Sequence, residues 1–313
     1  MIPYGMQSIN DDDIDSVIKV LKSDFLTQGT QVPKFEKALS AYCDVKHVTA
    51  VNSATSALHI SCLALNLGEG DYLWTSPISF VASANCALYC GAKVDFVDID
   101  PKTYNMDPVK LKIKLDIAKA NNKLPKIVVP VHFAGQSCDM KAIYNLSKEY
   151  GFRVIEDASH AIGGKYLNKS IGNCQYSEIT VFSFHPVKII TTAEGGLATT
   201  NDKNLSERMR LLCSHGVTRD PELMIKKSDG AWYYQQIDLG FNYRMNEIQA
   251  ILGISQMKRL DEFVLRRHML QVRYHQMLSD LPLILPHQSK NSYSALHLYP
   301  IQIQEYSLVW VVH

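Results

Sequence analysis

Between residues 48 and 200 short β-branched apolar runs alternate with helical patterns, and no other feature constrains the fold as tightly. Strands are predicted at Val48–Val51, Tyr72–Thr75, Lys93–Asp98, Ile127–Val131, Arg153–Glu156, Glu178–Phe182 and Leu197–Thr200. Helices are predicted over Ser56–Leu67, Phe80–Cys90, Pro108–Lys119 and Met140–Tyr150, with Asn204–Leu212 after the last strand. Such alternation implies βαβ units and a mostly parallel central sheet flanked by helices, an α/β fold.

Helical patterns bracket this region. Asn10 and Asp11 can cap a helix whose Ile14, Val17, Ile18 and Leu21 share one face, and a second helix carries Val32, Phe35, Leu39 and Tyr42. Further on, Asn246 and Gln249 form a capping-box-like pair at the start of a long helix predicted to run towards Leu278. A strand is expected over His297–Ile303, followed by the apolar tail Tyr306–His313, which is a poor way to finish a domain. With 313 residues there is room for one large α/β domain and an appendage. The expected division is 1–245 for the N-terminal segment and large domain, and 246–313 for the long helix and a truncated small C-terminal domain.

Composition removes several function classes. A net charge of +1 gives no electrostatic argument for nucleic acid or an anionic membrane surface. No apolar run approaches the ~20 residues of a membrane span, and the opening Met1-Ile2-Pro3-Tyr4-Gly5 lacks the basic-then-apolar layout of a signal peptide. Seven cysteines are an odd number, and only Cys86 and Cys90 lie close together, with no second pair to complete a zinc site. Buried free thiols in a reducing cytoplasm are the expectation.

In a parallel α/β sheet, ligands bind outside the carboxyl ends of the strands, and three polar clusters stand at such ends here. Ser53-Ala54-Thr55-Ser56 opens a helix, where free N–H groups suit a phosphate; it is equally an ordinary helix cap. Glu156-Asp157-Ala158-Ser159-His160 follows a buried strand, and its carboxylate can hold a cationic ring nitrogen, bind a metal or cap a helix. Ser183-Phe184-His185-Pro186-Val187-Lys188 leads into Glu194-Gly195-Gly196. A lysine just past a buried strand can be a desolvated, nucleophilic amine, or simply a loop lysine beside a tight turn. Phe80 could stack on a ring or belong to the core.

Taken together the clusters fit pyridoxal 5′-phosphate, which needs a Schiff-base lysine, an acid beside the pyridine nitrogen, a phosphate cup and a stacking ring. No dinucleotide glycine fingerprint or P-loop is present, and a metal site would have to use His132, Asp157, His160 and His185 without diagnostic spacing.

These segments, with Asn52-Ser53-Ala54-Thr55-Ser56-Ala57-Leu58 and Gly240-Phe241-Asn242-Tyr243-Arg244-Met245-Asn246-Glu247, resemble the DegT/DnrJ/EryC1/StrS family of nucleotide-sugar aminotransferases from the N-terminus to about Ile303. The resemblance implies the aspartate-aminotransferase-like fold of pyridoxal phosphate (PLP) enzymes, as a homodimer with shared active sites. It implies amination of a UDP-linked 4-keto-6-deoxy-2-acetamido sugar with L-glutamate as donor and 2-oxoglutarate as co-product, as in pseudaminic acid formation. Lys188 would carry the cofactor and shuttle the proton, Asp157 would keep the pyridine nitrogen protonated, and His160 would approach the 3-hydroxyl. Phe80 would stack on the ring. The Ala54 N–H, Thr55 and Ser183 would hold the phosphate, with Asn242 reaching it from the partner subunit. His185 would face the sugar nucleotide. Relatives that are dehydratases replace the lysine with histidine, which Lys188 argues against. Many relatives carry glycine where Ala54 stands, and family members continue past the His-Leu-Tyr-Pro strand, so the resemblance implies a shortened sugar-binding wall. The alternatives are a truncated, catalytically impaired PLP-binding homologue and a transaminase for a different nucleotide-linked 4-keto sugar.

Overall fold

The structure is a computed structural model that describes residues 5–303 and the backbone of 309–312. In chain order the elements are α1 (Asp11–Leu21), α2 (Gln31–Cys43), β1 (His47–Val51), α3 (Ala54–Ala64), β2 (Tyr72–Thr75), α4 (Ala82–Tyr89), β3 (Lys93–Phe96), α5 (Pro108–Ala120), β4 (Ile127–Val129), α6 (Met140–Tyr150) and β5 (Arg153–Asp157). The short β6 (Lys165–Tyr166) and β7 (Lys169–Ser170) follow, then β8 (Ile179–Ser183), β9 (Gly196–Thr200), α7 (Lys203–Cys213), β10 (Val217–Thr218) and β11 (Gln235–Gln236). The remainder comprises α8 (Glu247–Met257), α9 (Leu260–Leu278), β12 (Leu283–Ile284), β13 (Ser292–Tyr293), β14 (Tyr299–Ile303) and β15 (Val309–Val312).

The central sheet has seven strands in the order β1-β9-β8-β5-β4-β2-β3. Pairings from β8 through β5, β4 and β2 to β3 are parallel, whereas β9 runs antiparallel to both β8 and β1. The expected mostly parallel sheet is therefore present, with β9 reversed. Its reversal has a simple cause: only a loop, residues 184–195, joins β8 to β9, and no crossover helix lies between them.

Alternating strand residues divide the core. Leu73, Ile127, Val129, Ile155, Ile179, Val181 and Ala198 face α3, α4 and α7 on one side of the sheet. On the other side Trp74, Val128 and Val154 meet α5 and α6, while Ala50, Phe182 and Leu197 meet α2, α8 and α9. Helix α3 is apolar nearly all round because it lies inside this packing, buried from Ser56 to Cys62.

The predicted long helix is broken. α8 starts at the Asn246–Gln249 capping box as expected, but α9 begins anew at Leu260. Gln256 and Arg259 bind the buried Asp13 carboxylate of α1 and the Ser8 carbonyl, and these tertiary bonds hold the turn between the two helices. Glu247, the first residue of α8, accepts the N–H groups of Gln31 and Val32, so it caps α2 from a distance of more than two hundred residues in sequence. Thr30, the local residue in that position, makes no side-chain cap.

The expected truncation rests on Tyr306–His313, which lies outside the described residues except for the backbone of β15; that strand pairs antiparallel with β14. Among the described residues no helix is long and apolar enough to cross a membrane.

Candidate active site

Strand β8 ends at Ser183, and the loop that follows is tied back to the sheet at Phe184. The Phe184 N–H donates to the Gly195 carbonyl, and its own carbonyl accepts from the Thr192 N–H and the Thr191 hydroxyl. Within this loop the Lys188 N–H donates to the His185 carbonyl at 2.8 Å, closing a turn, and the buried Ile189 and Ile190 anchor the chain beyond it. The Lys188 amine is thus held partly out of water. Burial lowers its pKa, and the nearby Asp157 carboxylate opposes the shift.

Asp157 is the last residue of β5, adjacent to β8 in the sheet, so its side chain emerges beside the Lys188 loop. Its Oδ1 accepts from the Ser159 N–H at 3.1 Å and the Ser159 hydroxyl at 2.6 Å, and its Oδ2 accepts from the Ser83 hydroxyl at 2.6 Å. His160, three residues on, is half-buried. Its ring lies 4.3 Å from the His297 ring and 6.2 Å from that of Phe133 (centroid to centroid).

The helix start at α3 completes the other end of the site. The Ser53 side chain accepts the Ser56 N–H and the Ser53 carbonyl accepts that of Ala57, while the N–H groups of Ala54 and Thr55 precede the helical ladder. Gly196, paired with Ser183 across β8 and β9, packs directly on the Ser53–Ala54 backbone with no room for a Cβ. Ser183, Ala54 and Thr55 are thereby brought to one place, with unladdered N–H groups and hydroxyls suited to a phosphate.

Phe80 stands in the loop between β2 and α4 and is 73% exposed, which excludes it from the core. It belongs to the same short segment as Ser83 and so lies on the Asp157 side of the site. Asn242 is exposed, and its carbonyl accepts from Asn52, just ahead of α3 in the same chain. His185 is exposed and its Nε2 is 3.9 Å from a Glu194 carboxylate oxygen.

Of the histidines weighed for a metal, His132 is committed elsewhere. Its Nδ1 accepts the Cys138 N–H, and its Nε2 donates to the buried Glu156 at 2.7 Å. Among the described residues no group of three or more His, Cys, Asp or Glu is arranged to hold a metal ion. All seven cysteines are free thiols.

Two residues of this region escaped the sequence reading. Ser83 reads as a small helix residue, and only its position three after Phe80 hinted at the site. His297 is predicted within a strand, yet it precedes β14, and its N–H donates to the Ala134 carbonyl while its ring meets that of His160. Gly135, with φ of +98° and no space for a Cβ against Leu296, His297 and the His160 carbonyl, lets these segments converge. The residues present fit PLP: a desolvated amine, a carboxylate held as acceptor, an open helix start and an exposed aromatic ring.

Comparison with known proteins agrees. The chain is 41% identical over 302 residues to the UDP-4-amino-4,6-dideoxy-N-acetyl-beta-L-altrosamine transaminase of Campylobacter jejuni, covering 96% of this chain and 76% of the relative. It superposes with a TM-score of 0.85 on Helicobacter pylori PseC, an aminotransferase involved in the biosynthesis of pseudoaminic acid, at 36% identity over 97% of this chain and 78% of the other. A Streptococcus pneumoniae sugar aminotransferase in its PLP form gives 0.84 at 26% identity, covering 97% and 78%. The family model matches residues 7–309, and the chain belongs to the DegT/DnrJ/EryC1/StrS aminotransferase family.

Proposed function

We propose that this chain is a PLP-dependent nucleotide-sugar aminotransferase that converts a UDP-linked 4-keto-6-deoxy-2-acetamido sugar to the 4-amino sugar, with L-glutamate as donor and 2-oxoglutarate as co-product. The observation that carries the reading is the Lys188 amine, desolvated in its loop beside the buried Asp157 carboxylate at the carboxyl ends of β8 and β5. The similarity to the altrosamine transaminase and to PseC supports the choice of sugar and a place in pseudaminic acid formation.

The cofactor, when bound, supplies an electron sink for the carbon that loses its proton. Lys188 is the amine that attaches it covalently, and its Nζ, with proton affinity reduced by burial, takes and returns that proton. Asp157, held by its serine donors, is assigned to keep a proton on the pyridine nitrogen. His160 is assigned to the 3-hydroxyl and Phe80 to the ring face. The Ala54 N–H, Thr55 and Ser183 are assigned to the phosphate. Asn242, exposed in one protomer, is assigned to the partner's phosphate in a homodimer, and His185 to the sugar nucleotide. The large domain is taken as 1–245 and the small one as 246–313, in a cytoplasmic protein.

The test is direct. Purified protein should take up PLP with a visible absorbance band, and borohydride should bleach it and fix the cofactor to Lys188 in a peptide map. Nitrogen-15 glutamate should then label the product from one member of a panel of UDP-4-keto sugars. A colourless protein that takes up no PLP would sink the cofactor assignment. Labelling of a different sugar would move the substrate and keep the chemistry.

A further inference from the structure

Asp157 is not held by its own loop alone. Its Oδ2 lies 2.6 Å from the hydroxyl of Ser83, a fully buried residue in the first turn of α4. A carboxylate only accepts, so the single Ser83 proton points at Asp157. The Ser83 oxygen is also 2.6 Å from the Ser79 hydroxyl, and with the Ser83 proton committed, Ser79 must be the donor there. A longer approach of Ser79 to the Phe80 carbonyl, 3.1 Å, competes for that same proton. The Ser83 N–H in turn donates to the Phe80 carbonyl at 3.2 Å, closing the turn. A directed chain of hydroxyls thus runs from the Phe80 loop to the buried carboxylate, and each bond in such a chain polarises the next.

We propose that Ser83, backed by Ser79, is a positioning residue for Asp157. Its hydroxyl holds Oδ2 and so helps to fix the orientation of the carboxylate towards the ring nitrogen of the cofactor. Ser159 donates to Oδ1 alone, and Ser83 is the residue that holds the other oxygen, Oδ2, so that the two serines grip the carboxylate from both sides. The chain also ties two parts of the cofactor bed together, since the turn that presents Phe80 is the turn that supplies Ser83. The inference rests on the assignment of Asp157 to the pyridine nitrogen.

Full-length wild type, S83A, S83T, S79A and the S79A/S83A double variant would be compared by absorbance titration with PLP, alongside melting of the PLP-free proteins. Loss of a charge-assisted hydrogen bond predicts PLP binding weaker by about 10- to 100-fold in S83A. S83T should restore wild-type affinity. S79A should weaken binding by less, and the double variant should match S83A, since the outer bond acts only through the inner one. An S83A protein with wild-type affinity overturns the proposal, as does an S83T protein no better than S83A. Additive effects in the double variant overturn the chain. If S83A does not fold, S79A and S83T decide by the same criteria. Wild type that binds no PLP would overturn the functional reading and this proposal with it. Wild type that binds PLP beside an indifferent S83A overturns this proposal alone.

Discussion

Gly196, the first residue of β9, packs on the backbone of Ala54 so closely that no side chain fits between them. Its backbone is not in the left-handed region, so the requirement is one of space and not of conformation. Gly196, visible in the sequence only as part of a tight Gly-Gly turn, therefore seats the α3 helix start against the end of β8.

Gly196→Ala should push that helix start away. Forcing a methyl into a packed contact typically costs ~1–3 kcal/mol, so the PLP-free protein should melt earlier. If the α3 start holds the phosphate, PLP affinity should fall further than stability alone predicts. Titration with inorganic phosphate as a competitor separates the two effects; unchanged competition would mean the helix start does not hold the phosphate.

Lys188→Met should abolish turnover and yet stabilise the PLP-free protein at neutral pH. The sign follows from burial. The folded-state pKa of Lys188 lies below its unfolded value, so the charged amine is disfavoured in the folded chain. That penalty is fully present at pH below the folded pKa and is relieved as pH rises from the folded towards the unfolded pKa. Melting temperatures should thus differ most at neutral pH and converge in alkali. A variant less stable than wild type at neutral pH would show that the amine is better satisfied than its burial implies.

Much of the fold was legible because periodicity is a local signal. The seven main helices and strands from β2 to β5, Tyr72 to Asp157, fall within a few residues of their predicted places, and α6 matches its predicted bounds, Met140–Tyr150. What escaped is set by contacts distant in sequence. The break before Leu260 depends on Asp13, and the cap on α2 comes from Glu247. Strand direction at β9 could not be read from its residues, only from the absence of a helix before it. In the site, Lys188 and Asp157 stood out because charged groups at the ends of apolar strands are conspicuous. Ser83 did not, since a serine on a small-residue helix carries no such contrast.

Glu247→Ala tests the distant cap. The buried carboxylate accepts two orphan N–H groups of α2, and loss of an N-cap usually costs about 0.5–2 kcal/mol. Hydrogen exchange at Gln31 and Val32 should accelerate selectively. PLP uptake should survive, because α2 lies across the sheet from the α3 start. Protection unchanged at these two amides would show that Thr30 can replace the cap.

Phe80 offers the cleanest separation between folding and binding. Its ring is largely exposed in the isolated chain, so Phe80→Ala removes little buried area and should leave the melting temperature of the PLP-free protein near wild type. If the ring stacks on the cofactor, the same change removes an aromatic contact of about 0.5–1.5 kcal/mol beyond area, a loss of roughly two- to twelve-fold in affinity. Phe80→Tyr should bind nearly as wild type, and Phe80→Leu should fall between, because area is kept while the aromatic face is lost. The order Phe, Tyr, Leu, Ala in PLP affinity, at constant melting temperature, distinguishes stacking from general burial at a subunit contact. Burial alone would give much the same order, by side-chain size, but would lower the stability of the smaller variants and make it depend on protein concentration.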